Sequence, residues 1–267
     1  MPDTQKIQGV LFDLDGVLYV GANVIDGAIE AIAAIRSAGY RCRFATNTST
    51  LSMASLQGKL QKLGFVIPAH EIISAPQAAI LYLRSLGQPK CRLLLAEDVK
   101  QDFAEFEQTE ERPDYIVIGD IGEAWSYPLL NSVFNNLMQG AKLIAIHKNR
   151  FWQTEQGLKM DIGGFIEALQ YASGADAMII GKPSVDFFHV AVADMQLDAA
   201  AVMMVGDDID SDIGGAQSSG LVGVLVRTGK FRQAYCAASA IKPDLIIDSI
   251  ADLPLMLEGK RILAINT

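Results

Sequence analysis

Two aspartates one residue apart, Asp13 and Asp15, follow the apolar run "GVLF" (9–12) and lead into Gly16. Three other polar clusters also trail apolar runs. Thr46, Asn47, Thr48 and Ser49 follow "CRFAT" (42–46), and Lys182 in "GKPS" follows "AMII" (177–180). Asp207, Asp208, Asp210 and Asp212 in "GDDIDSDIGGA" (206–216) follow "VMMV" (202–205). Carboxylates held this close repel one another and call for a hard divalent cation, for which Mg²⁺ is the natural choice. A lysine with small hydroxyl and amide donors suits a dianionic phosphoryl group. One aspartate can attack phosphorus, while its neighbour protonates the leaving oxygen and later deprotonates a water. On an extended chain, a spacing of two puts Asp13 and Asp15 on one side with Leu14 opposite. Gly16 lets the chain turn sharply after them.

Each cluster has a plainer reading. Asp13-x-Asp15-Gly16 does not fit a calcium loop. Asp208, Asp210 and Asp212 fit its first, third and fifth positions, but Ile213 stands where glycine is required and Ser219 where glutamate is. Asp208 and Asp210 read most simply as solvated loop carboxylates. Alone, Thr46 and Asn47 would be turn or helix-entry residues, and Lys182 a surface lysine. His70, His147 and His189 share no metal-ligand spacing. His189 sits in an apolar helical pattern, whereas His147 opens the polar stretch "HKNRFW" after an apolar run. No glycine-rich nucleotide loop follows a strand pattern.

These residues need a scaffold that brings them together. Six short, continuous apolar runs (9–12, 42–46, 177–180, 202–205, 222–226 and 245–248) read as strands covered on both faces, as in a parallel sheet. Helical patterns at 28–39 and 186–197 alternate with them, which predicts a doubly wound α/β core. Polar residues after its strands would gather at the carboxyl edge of the sheet, where ligands bind in such folds. A second series of strands at 92–96, 114–120 and 142–146, with helical patterns at 98–107, 127–139 and 164–173, predicts an inserted, smaller α/β domain. The expected division is a discontinuous core of 1–80 plus 179–267 and an insertion of 81–178.

Half of the 267 residues are apolar, enough for a substantial core. The net charge of −9, from 31 acidic against 22 basic residues, argues against nucleic acid or an anionic membrane as partner. Cys42, Cys91 and Cys236 are far apart and odd in number, so reduced thiols are expected rather than a zinc site or disulfides. "MPDTQKIQGV" lacks the apolar region of a leader, and no run approaches a membrane span. A cytoplasmic protein is the simple expectation.

Taken together, "DLDGV" (13–17), "TNTS" (46–49), "GKPS" (181–184) and "GDDIDSDIGGA" resemble, in order, the four motifs of the haloacid dehalogenase superfamily. An insertion of this size between the second and third motifs resembles the NagD-like branch with a large α/β cap. "HKNRFWQTEQGLKMDIGGFIEALQYA" and "VRTGKFR" are also similar to members of that branch. The resemblance implies a Mg²⁺-dependent phosphatase acting through an aspartyl-phosphate. It assigns Asp13 as nucleophile and metal ligand, and Asp15 as general acid/base and backbone metal ligand. Thr46, with Asn47 and Thr48, would bind the phosphoryl group and Lys182 would neutralise it. Asp207 would be the third protein-derived metal ligand and Asp212 would act from behind it. His147, Lys148, Asn149, Arg150 and Asp161 in the cap would select a small phosphorylated substrate: a phosphomonoester, a phosphoramidate or pyrophosphate. A homodimer through the cap is implied in the same way. The rival expectations are a phosphotransferase or phosphomutase of the same superfamily, and a non-catalytic phospho-ligand-binding protein.

Overall fold

The computed structural model describes residues 6–154 and 157–259. Residues 1–5, half of the N-terminal stretch from which the absence of a leader was expected, lie outside that range. In chain order the strands are β1 (Gly9–Phe12), β2 (Tyr19–Val20), β3 (Asn23–Val24), β4 (Arg41–Thr46), β5 (Ile72–Ser74), β6 (Cys91–Leu94) and β7 (Tyr115–Ile118). They continue with β8 (Lys142–Ala145), β9 (Phe151–Thr154), β10 (Gly157–Met160), β11 (Ala177–Ile179), β12 (Val202–Gly206), β13 (Val222–Val226) and β14 (Leu245–Ile247).

The larger sheet has six strands in the order β14-β13-β12-β1-β4-β5. β1 lies at its centre, parallel to both β12 and β4. Val10, Leu11 and Phe12 have no solvent exposure, and the Phe12 ring stacks on Phe44 at 5.4 Å. Helices cover the faces, as the unbroken apolar strands require. The Ala28–Ser37 helix turns Ala28, Ala31, Ile32 and Ile35 inward at helical spacing. The fold is the expected α/β architecture around a parallel sheet.

A second, four-stranded sheet runs β11-β8-β7-β6, all neighbours parallel. Its core packs Ile116, Ile118, Leu143 and Ala145 against Val133 and Leu137 of the Tyr127–Met138 helix and Ile166 and Leu169 of the Gly163–Ser173 helix. The run 177–180, expected in the first sheet, pairs with β8 in this one. Its three ladder residues are all at least partly exposed, as suits an edge strand. The helix expected over 98–107 is only one turn, Glu97–Lys100, followed by a 3₁₀ turn at Gln101–Phe103.

The chain divides into two compact units. One comprises 1–45, 61–72 and 188–267; the other comprises 46–60 and 73–187. Among the described residues, no helix is long and apolar enough to cross a membrane.

Candidate active site

In the first unit, β1 ends at Phe12 and the Asp13 N–H donates to the Val205 carbonyl (2.9 Å), anchoring the next residue to β12. Asp13 is buried and Asp15 exposed, so the two aspartates sit in different environments. Gly16, at φ +92°, reverses the chain, and its N–H donates to the Tyr19 carbonyl at 2.7 Å. Tyr19 is itself buried. Burial, then the charges of Asp15 and Asp13, push its phenol well above the ordinary value, so it stays protonated.

β12 delivers Gly206 and Asp207 at its end. Carboxylate oxygens of Asp13, Asp207 and Asp212 lie within 4.8 Å of one another, and all three residues are buried. Asp212 reaches this point because residues 209–214 wind as a π-helical turn. Asp208 caps that turn by accepting the N–H groups of Asp210 and Ser211, each at 3.0 Å. Room is made by glycine. A β-carbon on Gly206 would sit 2.2 Å from Cβ of Asp212. One on Gly16 would sit 1.9 Å from Oδ2 of Asp207, and one on Gly229 2.0 Å from the same oxygen.

Asp207 Oδ2 accepts the Lys230 N–H at 2.6 Å, while Oδ1 is buried with no hydrogen-bond partner. Burial, then the charge of Asp13, drives this carboxyl well above the ordinary range, and Asp212 adds to the effect. A buried carboxylate oxygen without a donor is costly. Three hard oxygen ligands around it are the donor set that suits Mg²⁺, so these residues fit the divalent cation expected from the sequence.

The sequence reading did not identify Lys230 as a site residue. Its ammonium lies 3.3 Å from Asp208 Oδ2. Burial would lower its pKa, but the charges of Asp208, Asp207, Asp13 and Asp212 outweigh burial and raise it. Asp208 is correspondingly not a solvated loop carboxylate. Burial opposes its charge, yet Lys230 and the N–H groups of Ser211 and Asp210 hold its pKa below the usual range. The missed signal was "RTGK" after the β13 run: a glycine and a lysine following a buried strand, as in the other clusters.

The second unit holds the remaining motif residues. Thr46 ends β4, and its hydroxyl bonds Thr48 Oγ1 (2.8 Å) and accepts the Thr48 N–H (3.0 Å). Buried Asn47 grips the backbone of buried Lys182 twice: its amide donates to the Lys182 carbonyl and its Oδ1 accepts the Lys182 N–H, both at 2.8 Å. A β-carbon at Gly181 would sit 2.4 Å from Asn47 Oδ1, so glycine is needed beside this clamp. Ser49 accepts the Asp120 N–H at 3.0 Å. His147 is buried, with Nδ1 4.0 Å from Asp161 Oδ2. Lys148 is engaged with Glu167 at 2.8 Å. Asn149 and Arg150 contribute carbonyls that accept the N–H groups of Gly163 and Asp161.

Two haloacid dehalogenase-like hydrolase family models match the chain, over residues 10–108 and 179–253. The human phospholysine phosphohistidine inorganic pyrophosphate phosphatase is 38% identical over 252 residues, covering 92% of each chain. The chain belongs to the haloacid dehalogenase-like hydrolases, in their NagD-like phosphatase branch. Mouse haloacid dehalogenase-like hydrolase domain-containing protein 2 is 37% identical over 234 residues, covering 88% of this chain and 89% of that one. Among solved structures, p-nitrophenyl phosphatase from Archaeoglobus fulgidus superposes with a TM-score of 0.85 at 27% identity, covering 95% of this chain and 99% of that one. Glycerol phosphate phosphatase from Mycobacterium tuberculosis, solved with magnesium, superposes at 0.80 with 28% identity, covering 94% and 78%. This member of the branch is a hydrolase acting on phosphoric ester bonds.

Proposed function

We propose that the chain is a Mg²⁺-dependent phosphatase that hydrolyses a small phosphorylated substrate through an aspartyl-phosphate on Asp13. The observation that carries this reading is the buried convergence of Asp13, Asp207 and Asp212 around a carboxylate oxygen that lacks a donor. Asp13 and Asp207, with the Asp15 carbonyl, would hold the ion, and Asp212 would support it from behind. When bound, the ion offsets negative charge on the transferring phosphoryl group.

Asp13 attacks phosphorus. Asp15, exposed two positions on, would protonate the leaving oxygen and then activate a water. Thr46, Asn47 and Thr48 supply donors to the phosphoryl oxygens. Lys182, fixed by Asn47, adds the positive charge that phosphoryl transfer needs, since catalysis there is chiefly positioning and electrostatics. Two relatives' names support a phosphoramidate or pyrophosphate substrate and a phosphomonoester respectively. The human relative acts on the first kind, the mycobacterial enzyme on glycerol phosphate. A cytoplasmic location fits these substrates.

The test is p-nitrophenyl phosphate hydrolysis at neutral pH, with Mg²⁺ or with chelator, for wild type and Asp13→Asn. Turnover should require the metal and fall by about 10³-fold or more in the variant, which removes the covalent route. Metal-independent turnover, or an active Asp13→Asn enzyme, would refute the proposal.

A further inference from the structure

The turn after β13 governs how Asp207 can bind. The Arg227 N–H donates to the Ile247 carbonyl at 3.0 Å, so the chain leaves β13 still anchored to β14. Residues 228–231 then form a turn closed by the Phe231 N–H on the Thr228 carbonyl at 3.2 Å, with Gly229 at φ +56° as its first central residue. A turn of this kind does not use the N–H groups of its two central residues. Lys230 donates its own to Asp207 Oδ2 at 2.6 Å, while its ammonium meets Asp208 Oδ2 at 3.3 Å. The Thr228 hydroxyl donates to the Gly16 carbonyl, and the Gly16 N–H donates to the Tyr19 carbonyl at 2.7 Å. One turn thus braces both the loop that follows Asp13 and the start of the acidic segment, all within the first unit.

Asp207 Oδ2 is enclosed by this arrangement. Besides the Lys230 N–H, the backbones of Gly16 and Gly229 approach it so closely that an added β-carbon would stand 1.9 or 2.0 Å away. Oδ1 belongs to a side chain only 2% exposed and has no hydrogen-bond partner among the described residues. The two oxygens of one carboxylate are therefore unequal: one is committed to the protein and the other is left for a cation. That inequality bears on ion choice. Mg²⁺ demands near-octahedral geometry at ~2.0–2.1 Å, and the two oxygens of one carboxylate subtend too small an angle to supply two of its corners. Ca²⁺, at ~2.3–2.6 Å, takes about six to eight ligands and commonly draws both oxygens of a carboxylate.

We infer that the turn of Thr228, Gly229 and Lys230 is a positioning element that limits Asp207 to one metal-binding oxygen and so sets the centre's preference for Mg²⁺ over Ca²⁺. The Lys230 N–H and the Thr228 hydroxyl carry this role. The ammonium does not, because a charge at Asp208 acts on either divalent ion alike. This rests on the metal centre of the phosphatase reading above and deepens it at the same carboxylates.

Isothermal titration calorimetry of the full chain with Mg²⁺ and with Ca²⁺, without substrate, gives the ratio of the two dissociation constants. Wild type should bind Mg²⁺ about tenfold or more tighter than Ca²⁺. Thr228→Val, and Lys230→Pro, which lacks the N–H, should each move that ratio toward Ca²⁺ by about tenfold, the scale of losing a group that orients a metal ligand. Thr228→Ser keeps the hydroxyl and should hold the wild-type ratio. Lys230→Met keeps the N–H and should shift both affinities together, leaving the ratio within about twofold. A purely structural role would weaken both ions equally and leave every ratio unchanged. A wild type that binds Ca²⁺ as tightly as Mg²⁺, or a ratio unmoved in Thr228→Val, overturns the inference. So does a ratio that moves as far in Lys230→Met, which would assign the selectivity to the ammonium. Thr228→Val removes one hydroxyl without touching the turn's backbone, so it decides the question if Lys230→Pro fails to fold. Binding is read without turnover. Mg²⁺-selective binding with no p-nitrophenyl phosphate hydrolysis supports the inference and counts against the phosphatase reading; Mg²⁺-dependent hydrolysis with equal affinity for the two ions does the reverse.

Discussion

Gly229→Ala is the sharpest probe of how the acidic centre is built. Gly229 has φ +56°, and a β-carbon there would lie 2.0 Å from Asp207 Oδ2 and 2.5 Å from Gly16 Cα. The left-handed backbone alone costs an alanine ~1–2 kcal/mol. Relieving the clash requires moving a buried carboxylate or the 16–18 turn, about 1–3 kcal/mol more by analogy with overpacked cores. Gly220→Ala supplies the control: φ is +83°, but the nearest atom, Ala199 Cβ, is 3.5 Å away, an ordinary contact. The two variants should share the backbone cost and differ by the clash, which corresponds to a gap in Tm of roughly 2–10 °C. Mg²⁺ supplies the second readout. At 100 times its Kd the ion adds about 2.7 kcal/mol to wild-type stability. If displacing Asp207 weakens binding about 100-fold, as loss of a positioned ligand does, that increment falls to about 0.4 kcal/mol. Differential scanning fluorimetry across a Mg²⁺ titration measures both. If Gly229→Ala melts with Gly220→Ala and retains the full Mg²⁺ increment, the contact between the 229 turn and Asp207 does not position a metal ligand.

Lys230→Met keeps the N–H that Asp207 accepts but removes the ammonium facing Asp208. Because both side chains are about one-fifth exposed, the metal-free protein should lose roughly 2–3 kcal/mol rather than the larger cost of a fully buried pair, read by urea denaturation in EDTA. Asn47→Ala strips partners from the buried Lys182 N–H and carbonyl. It should cost roughly 2–4 kcal/mol and lower Tm by about 5–12 °C, with unchanged stability counting against the clamp. Burial pushes the Cys42 and Cys91 thiols up to about 11, so at pH 8 only about one in 10³ of each is thiolate. Half-buried Cys236 should therefore react first with a disulfide reagent, and rapid native labelling of all three would contradict the packing.

The strands that carry the motifs were legible because they are buried on both faces. "GVLF", "VMMV" and "VGVLV" are continuous apolar runs with little else they could be, and the structure assigns β1, β12 and β13 to them within a residue. The acidic cluster was legible for a related reason. A buried strand that ends in carboxylates places them where desolvation demands a partner. Edge elements were harder to read. β5 has three residues, β2 and β3 two each, and β11 has no fully buried ladder residue, so none has a strong period. β11 was also assigned to the wrong sheet, because "AMII" looks the same whichever neighbour it pairs with, and pairing is a tertiary fact.

Asp208 shows what local reading misses. In sequence it is one of four aspartates in six residues, and a loop rich in like charge is expected to face water. Its burial becomes affordable only through Lys230, 22 residues on and across a strand, and through two N–H groups of a π-turn whose existence no period announces. That lysine also orders the roles within the cluster. Its ammonium pairs with Asp208, its backbone N–H is accepted by Asp207 Oδ2, and its charge also acts on Asp13 and Asp212, while Asp207 Oδ1 has no hydrogen-bond partner. With the ammonium placed on Asp208, the buried Asp207 Oδ1 is left without a donor, and on the proposed reading it is the oxygen that a divalent cation would take up.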